Sequence, residues 1–234
     1  MHIWFIMDWN RRWASKKWML KMLGHTAWWD NIENVLKLCK DRWFEYVSMW
    51  ALAKKNIEER SQEELNHLYL LIEKKIPDLL PKLIREWIRF ETIWDLGMVP
   101  ENTRTILEDA KKKTQDLSEM TFILAIWYGW QKDIIEWIKR FIKDNLDRLT
   151  SEDIDNVLSS LNENTFLDYL DSWRFPIPDL IVRTGWDIRT SWYYLYESEY
   201  SEFHFTKTLW PDFCEKDLDE ALKNFSQAQR NFGK

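Results

Sequence analysis

Five short apolar runs alternate along the chain with longer stretches of helical periodicity. The runs are HIWFIM (2–7), EYVSMW (45–50), WIRFETI (87–93), MTFILAI (120–126) and DLIVR (179–183). Nearly continuous apolar strands are typical of a parallel sheet that is buried on both faces. The alternation therefore predicts an α/β fold, in which a central, mostly parallel sheet of about six strands is flanked by helices. The length favours a single domain over residues 1–234.

Helical periodicity fills the intervals between the apolar runs. Apolar residues recur there every three or four positions, and Thr150 is a plausible N-cap for the segment that follows it. The predicted helices cover residues 30–42, 62–76, 101–113, 131–147, 151–161 and about 215–230.

The composition argues against several classes of protein. A formal net charge of −6 is unusual for a nucleic-acid binder, which normally carries a basic excess. Cys39 and Cys214 are too few for a disulfide framework and fit a reducing cytosol. No apolar run is long enough to span a membrane and no signal peptide is visible, so we expect a cytoplasmic protein.

Polar residues follow each predicted strand at the point where it ends. They are Asp8, the segment 50–56, Asp95, the segment 128–132 and Arg183. Ligands of open α/β sheets bind outside the carboxyl ends of the strands, so this rim is the predicted site. The alternative is that these are ordinary polar loop residues.

Glycine is unusually rare and tryptophan unusually common. Glycine makes up 5 of 234 residues, about 2%, where about 7% is usual, and tryptophan makes up 17. Glycine is the default residue wherever the backbone needs a positive φ. Either the fold avoids such turns, or another residue stands where glycine is expected.

Several motifs together resemble one enzyme family. IMDWNRRWASKKWMLKMLGH (6–25), WALAKKNIEERS (50–61), PDLIVRTGWDIRTS (178–191) and SEFHFTKTLWPDF (201–213) occur in the order typical of the cis-prenyltransferases, the family of undecaprenyl diphosphate synthase. Weaker matches lie at IRFETIWDL (88–96), AIWYGWQKDII (125–135) and RNFG (230–233), so the resemblance spans nearly the whole chain.

The resemblance implies an activity and its requirements. Enzymes of this family add isopentenyl diphosphate to an allylic diphosphate such as farnesyl diphosphate and form a cis double bond at each addition. The expected product is a long polyprenyl diphosphate, such as undecaprenyl diphosphate, which carries cell-wall glycans. The expected cofactor is Mg²⁺, because two diphosphates and a departing pyrophosphate need cationic partners. A homodimer, transient contact with the inner face of the plasma membrane and no nucleic-acid partner are also expected.

The resemblance also assigns roles to individual residues. Asp8 matches the aspartate that places Mg²⁺, and Glu202 matches an acid thought to reach the metal from the neighbouring subunit. Asp8, His25 and Asn56 are the candidate catalytic residues. Arg183, Arg189, Thr190 and Ser191 match the isopentenyl diphosphate site. The other candidate substrate-binding residues are Trp9, Asn10, Arg11, Arg12, Trp13, Lys21, His25, Ala53, Lys54, Lys55, Ile57 and Arg60.

Each assignment has a structural alternative. The alternative for Asp8 is an N-cap or a turn acid, and the alternative for His25 is a packing histidine. The alternative for Lys21 and Glu202 is a solvated surface charge. Lys21 stands where relatives often have arginine, and it keeps the charge without the bidentate fork.

The sequence departs from the family pattern mainly after the second strand. Ala53, Lys55 and Ile57 replace a serine, a glutamate and a tryptophan, and the lost hydroxyl is expected to weaken substrate positioning. Asp187 replaces the usual glutamate, which is a milder change.

Two other functions compete with a prenyltransferase. A non-catalytic accessory subunit of the same fold typically lacks the aspartate and the arginine pair, both of which this chain has. A nucleotide-binding domain would need a glycine-rich fingerprint of the usual spacing, which is missing. Five apolar residues are candidates for a product tunnel or for ordinary core: Leu68, Leu71, Ile72, Phe122 and Leu124.

Most tryptophans fall where this family has glycine or where glycine would be natural. Only Trp13, Trp50 and Trp210 match family aromatics. Glycine at the other 14 would raise its count to 19 of 234, about 8%, which is an ordinary value. UGA is read as glycine in some bacterial codes and as tryptophan in others, so we hypothesise UGA at these codons and UGG at the other three. We call the chain with these 14 replacements the glycine form: Trp4, Trp9, Trp18, Trp28, Trp29, Trp43, Trp87, Trp94, Trp127, Trp130, Trp137, Trp173, Trp186 and Trp192.

Overall fold

The structure, a computed structural model, has one six-stranded sheet. It describes residues 1–8, 10–18, 21–53, 59–93, 97, 99–150, 153–168, 170, 174–191 and 196–228. The strands are β1 (His2–Ile6), β2 (Tyr46–Ala53), β3 (Ile88–Ile93), β4 (Met120–Tyr128), β5 (Leu180–Arg183) and β6 (Glu202–Phe205). Their order in the sheet is β3-β4-β2-β1-β5-β6, and every neighbouring pair is parallel. The predicted fold class is therefore confirmed.

Helices flank this sheet. They are α1 (Asn10–Lys16), α2 (Lys21–Lys40), α3 (Gln62–Arg85), α4 (Glu101–Thr114), α5 (Trp130–Asp144), α6 (Leu146–Leu149), α7 (Ile154–Ser159), α8 (Glu163–Asp168) and α9 (Glu215–Gln227). None of the helices in the described part of the chain is long and apolar enough to cross a membrane.

The longest helix, α3, shows how local sequence sets its start and its buried face. Ser61 caps it, because its hydroxyl oxygen accepts a hydrogen bond from the Glu64 N–H at 3.2 Å. Apolar residues at helical spacing then bury one face against the sheet core. The buried residues are Leu65, Leu68, Tyr69, Leu71, Ile72, Ile76, Leu79 and Leu83.

The central strand β1 positions the site. All five of its residues are buried, and its neighbours on either side are β2 and β5. The chain therefore leaves β1 toward one side of the sheet and returns in β5 on the other. Such a reversal opens a crevice at the carboxyl ends of the strands, where ligands bind in open α/β sheets.

Two details differ from the sequence-based expectation. A sixth strand, β6, lies within the motif at 201–213, where the apolar pattern does not predict a strand. The expectation that Thr150 starts a helix is wrong, because α7 begins at Ile154 and Thr150 instead ends α6. The Thr150 hydroxyl donates to the carbonyl oxygens of Leu146 and Asp147, both at 3.1 Å, which satisfies the end of the preceding turn.

Candidate active site

Asp8 and Arg183 form an ion pair at the carboxyl edge of the sheet. Ile6 and Arg183 are register partners in β1 and β5, so Asp8 follows its strand directly beside the arginine. Arg183 Nε donates to Asp8 Oδ2 at 2.8 Å, and Nη2 donates to the same oxygen. The guanidinium is buried, whereas 32% of the Asp8 side chain remains exposed. The pair therefore presents a carboxylate to solvent above a fixed cation.

The loop after β5 folds back over Arg183. Arg183 Nη1 donates to the Ser191 hydroxyl at 2.9 Å and to the backbone carbonyl of Arg189. Asp187 Oδ2 lies 2.8 Å from Arg189 Nη2 and 3.7 Å from Arg183 Nη2. Arg189 itself is 60% exposed, and Thr190 lies beside it in the same loop. A buried arginine and an exposed one thus lie in the same loop region, and two neighbouring guanidinium groups are suited to holding a diphosphate.

The backbone around Asp8 is held from both sides. The Asp8 N–H donates to the Thr184 hydroxyl at 3.1 Å, and Asn10 Nδ2 donates to the Met7 carbonyl at 3.2 Å. Gly24 of α2 lies so close to α1 that an added Cβ would be 2.3 Å from the Asn10 carbonyl oxygen. Close contact between α1 and α2 therefore fixes where Asn10 lies relative to Asp8.

A second polar cluster lies between α2 and α3. His25 is 4% exposed, and its Nε2 lies 3.4 Å from Glu64 Oε1. Arg60 Nε lies 3.5 Å from the same oxygen, and the His67 ring centroid is 6.3 Å from that of His25. The structure therefore gathers His25 and Arg60, two predicted site residues, around one carboxylate.

Burial changes the acid–base properties of both clusters. Burial lowers the pKa of His25 to about 4, with further lowering by Arg60 and His67 and an opposing effect of Glu64. His25 is therefore neutral at pH 7. Burial also raises the pKa of Asp8, an effect that the positive charge of Arg183 opposes.

A magnesium ion fits the donors at Asp8. One Asp8 oxygen is engaged by Arg183, and the other accepts no hydrogen bond from the described residues. No cluster of three or more His, Cys, Asp or Glu side chains occurs in the described part of the chain. Mg²⁺ commonly uses one or two carboxylates and takes its remaining ligands from water and substrate phosphates. A single, partly exposed carboxylate with one oxygen left unpaired by the described residues meets that requirement.

The remaining predicted residues are placed only in part. Arg12 is exposed on α1, and Trp13 is half-buried with Lys17 Nζ 4.1 Å from its ring centroid. Glu202 opens β6 and pairs in register with Leu180, so it lies at the amino edge of the sheet and not beside Asp8. Five of the predicted residues lie outside the described structure: Trp9, Lys54, Lys55, Asn56 and Ile57. For three others the structure describes the backbone but not the side chain: Arg11, Lys21 and Ala53.

The candidate tunnel residues all belong to the core. Leu68, Leu71, Ile72, Phe122 and Leu124 are buried in one continuous cluster, so their role as a product tunnel stays a prediction. A separate apolar cleft of about 680 Å³ lies between α4 and the C-terminal half of α3. Since α3 runs away from the carboxyl edge, this cleft is separate from the cluster around Asp8 and Arg183.

The structure adds three residues that were not predicted for the site. Thr184 supports the Asp8 backbone, while Glu64 and His67 contact His25. A signal for Glu64 was present, because Ser61-x-x-Glu64 is a capping-box pattern that fixes a glutamate in the first turn of a helix. Nothing in the spacing of His67 distinguishes it from a surface residue of α3.

Comparison with known proteins identifies the family. The sequence profile described as "Putative undecaprenyl diphosphate synthase" matches residues 6–233. The chain belongs to the undecaprenyl diphosphate synthase family of prenyltransferases. An isoprenyl transferase of Clostridium perfringens is 33% identical over 233 residues, covering 99% of this chain and 89% of the relative. A farnesyl-diphosphate-specific ditrans,polycis-undecaprenyl-diphosphate synthase of Micrococcus luteus is 31% identical over 232 residues, covering 99% and 90%.

Solved structures of prenyltransferases share this fold. Lavandulyl diphosphate synthase from Lavandula x intermedia, in complex with dimethylallyl diphosphate, superposes with a TM-score of 0.90 at 28% identity, covering 100% of this chain and 98% of that one. A structure described as a probable undecaprenyl diphosphate synthase from Campylobacter jejuni gives a TM-score of 0.77 at 25% identity, with the same coverage of 100% and 98%. This prenyltransferase chain therefore shares the fold of the family over its whole length.

Proposed function

We propose that this chain is a Mg²⁺-dependent cis-prenyltransferase that elongates an allylic diphosphate, such as farnesyl diphosphate, with isopentenyl diphosphate. At each step the C1–oxygen bond of the allylic diphosphate breaks, isopentenyl diphosphate bonds to C1, and a proton leaves. The products are pyrophosphate and a chain one isoprene unit longer. The proposed end product is a long polyprenyl diphosphate, with undecaprenyl diphosphate as the expected length.

The observation that carries the proposal is the Asp8–Arg183 pair and the loop folded over it. The buried Arg183 and the exposed Arg189 lie near a carboxylate that has one oxygen left to bind a metal ion. An accessory subunit has no need to hold a buried arginine and a half-exposed acid in contact. The family match over residues 6–233 and the curated relatives support the same activity.

The two substrates are proposed to occupy the two polar clusters. Arg183, Arg189 and Ser191 would bind isopentenyl diphosphate through charge-assisted hydrogen bonds. Asn10, Arg12, His25 and Arg60 would bind the allylic diphosphate. Neutral His25 would donate one hydrogen bond to a phosphate oxygen, and Arg60 would supply the charge. Asp8 pairs with Arg183 of the first cluster and lies two residues before Asn10 of the second, and there it would bind Mg²⁺ that neutralises charge on the diphosphates.

A homodimer is proposed on two observations. Glu202 lies at the amino edge, three residues from the end of β6, roughly 10 Å along the strand from the site of its own chain. A metal role for Glu202 therefore requires a second copy. In addition, α5 exposes an apolar stripe, which we call the isoleucine stripe: Ile135, Ile138 and Ile142. Three exposed isoleucines on one helix face suit an isologous contact.

Steady-state kinetics test the substrate assignment. Arg189→Ala is expected to raise KM for isopentenyl diphosphate about tenfold or more while leaving KM for farnesyl diphosphate nearly unchanged, because one charged hydrogen bond is lost from one substrate. Arg12→Ala is expected to do the reverse. Both variants are made in the chain as written and in the glycine form. If both raise the same KM, the two-cluster assignment is wrong.

A metal titration tests the proposed cofactor. Removal of Mg²⁺ with a chelator is expected to abolish turnover, and added Mg²⁺ is expected to restore it. Asp8→Asn keeps an oxygen near Arg183 but removes the charge, so it is expected to raise the Mg²⁺ concentration required for half-maximal rate. An unchanged metal requirement in Asp8→Asn would assign the ion to other residues.

A further inference from the structure

Tryptophan occupies backbone conformations that normally require glycine. Only five described residues other than glycine have a left-handed φ: Trp18 (57°), Trp43 (61°), Trp87 (55°), Trp127 (65°) and Ser191 (59°). Asn and Asp are the usual non-glycine residues in this region, and a bulky residue there is a genuine outlier. Four such outliers with one side chain point to a common cause.

The turn at Trp43 shows why glycine is expected. The Trp43 N–H donates to the Lys40 carbonyl at 3.0 Å, and the Phe44 N–H donates to the Cys39 carbonyl at 3.2 Å. These two bonds define a Schellman motif at the end of α2, with Trp43 as the first residue beyond the helix cap. That position is left-handed and is usually glycine.

Two further helices end with one of these two bonds, the one that the left-handed residue donates. The Trp18 N–H donates to the Ser15 carbonyl at 3.2 Å after α1, and the Trp87 N–H donates to the Ile84 carbonyl at 3.1 Å after α3. The residues Trp18, Trp43 and Trp87 are 98%, 85% and 56% exposed. Because these indoles lie largely in solvent, little packing offsets the strained backbone.

Trp127 occupies a different kind of glycine position. Leu52 pairs with Ile126 and Ala53 with Tyr128, so β4 has one extra residue there and Trp127 is a β-bulge. A bulge residue in the left-handed region is typically glycine. The bulge immediately precedes the end of β4 at the rim of the site.

The tryptophans at family aromatic positions behave differently. Trp13, Trp50 and Trp210 all lie outside the left-handed region. Trp210 is fully buried, and its indole N–H donates to the Trp28 carbonyl at 2.8 Å. The backbone therefore sets Trp18, Trp43, Trp87 and Trp127 apart from these three, whereas Trp4, Trp28, Trp29 and Trp186 of the glycine form also lie outside the left-handed region. The indole hydrogen bond makes no such distinction, because the buried indole nitrogens of Trp127 and Trp13 both lack a hydrogen-bond partner among the described residues.

We infer that glycine occupies positions 18, 43, 87 and 127 of the functional protein, and that a codon read as glycine has been translated as tryptophan there. The inference rests on backbone dihedrals and hydrogen bonds, so it does not depend on the proposed function. One recoded codon accounts for all four positions, whereas the other ten members of the glycine form rest on the family pattern and not on the backbone. Trp9, Trp94, Trp173 and Trp192 of that set lie outside the described residues.

Thermal unfolding tests the physical part of the inference. Trp43→Gly is expected to raise Tm by about 2–8 °C, because it removes the left-handed penalty of a side chain at that turn. The matched control is Trp43→Ala, which removes the indole but keeps Cβ, and it is expected to give no such rise. Trp210→Gly is expected to lower Tm. Equal Tm changes for Trp43→Gly and Trp43→Ala would overturn the backbone argument.

Peptide mass spectrometry tests whether the codon is read as glycine in the cell. The protein is isolated from cells that carry the gene. Trypsin releases residues 43–54, WFEYVSMWALAK, which contains one position of each kind. The inference requires glycine at 43 and tryptophan at 50 in the same peptide. Tryptophan at both positions would overturn the recoding, and glycine at both would overturn the separation of Trp50 from the other group.

Discussion

At the scale of single residues, Arg183 is the most constrained group of the site. Its guanidinium donates to Asp8, to Ser191 and to the backbone of Arg189, and it is buried. A lysine ammonium is a point charge that cannot make this set of planar contacts. The role of Arg183 therefore depends on the several N–H donors of its planar guanidinium as well as on its charge.

Arg183→Lys is expected to lower kcat/KM by a factor of about 100 or more and to destabilise the fold by about 2 kcal/mol, since charged hydrogen bonds are lost in a buried site. Kinetics and urea unfolding measure the two effects. The control is Arg189→Lys, where the exposed side chain should change stability by less than about 0.5 kcal/mol. Equal stability losses for the two variants would contradict the buried role of Arg183.

His25 makes stability depend on pH with a defined sign. Its pKa in the folded protein, about 4, lies below the ordinary value of 6.5, so the unfolded state binds the proton first. The stabilisation is complete above about pH 6.5 and is lost as pH falls toward 4, by roughly 3 kcal/mol at most. His25→Gln is expected to flatten this dependence in urea unfolding between pH 7 and pH 4.5. An unchanged slope would show that His25 is not buried as a neutral group.

At the scale of elements, the contact between α1 and α2 depends on one glycine. An added Cβ at Gly24 would lie 2.3 Å from the backbone carbonyl of Asn10 and 3.1 Å from the Ala14 Cβ. Only a shift of α1 relieves the first contact, and α1 carries Asn10 and Arg12. The distance between two helices is thus tied to the geometry of the proposed allylic diphosphate site.

Gly24→Ala is expected to destabilise the protein by about 1–3 kcal/mol and to raise KM for the allylic diphosphate, because α1 must move. Thermal unfolding and steady-state kinetics measure these changes. Adding Ala14→Gly should not restore either value, since the closest atom is a backbone oxygen. Full rescue by Ala14→Gly would show that side-chain crowding alone limits the contact.

The elements differ in how far sequence predicts them. The predicted strands over 2–7, 45–50, 87–93, 120–126 and 179–183 are found because each is a continuous apolar run buried on both faces. The strand Glu202–Phe205 escaped prediction because it lies at the sheet edge, where only His204 is buried. The extensions of β2 and β4 contain bulges, which apolar periodicity does not detect.

At the scale of the whole molecule, the isoleucine stripe predicts a dimer that is required for activity. Ile138→Glu with Ile142→Glu would place charges in an apolar contact and is expected to yield monomers in sedimentation analysis. Turnover should fall in parallel if the partner's Glu202 reaches the metal. The control is Leu70→Glu on α3, an exposed apolar residue away from the stripe. A fully active monomer would contradict both the dimer and the role of Glu202.

Sequence predicts those parts of the site that follow from parallel strands ending at the same edge of the sheet. Asp8 and Arg183 follow strands that the sequence reveals, so their meeting follows from the sheet alone. Glu64 and His67 reach His25 through the packing of α2 on α3, which no local pattern encodes. The roles of Asn56 and its neighbours stay predictions, because residues 54–58 lie outside the described structure.

The most direct test of the account is incorporation of labelled isopentenyl diphosphate into organic-extractable product. The glycine form is incubated with farnesyl diphosphate and Mg²⁺ beside the chain as written, and chromatography gives the product length. The account predicts incorporation by the glycine form and a loss of about a thousandfold or more in the same form with Asp8→Ala. If a folded, dimeric glycine form incorporated no label, the proposed prenyltransferase activity would be contradicted and the chain would be identified as a non-catalytic subunit.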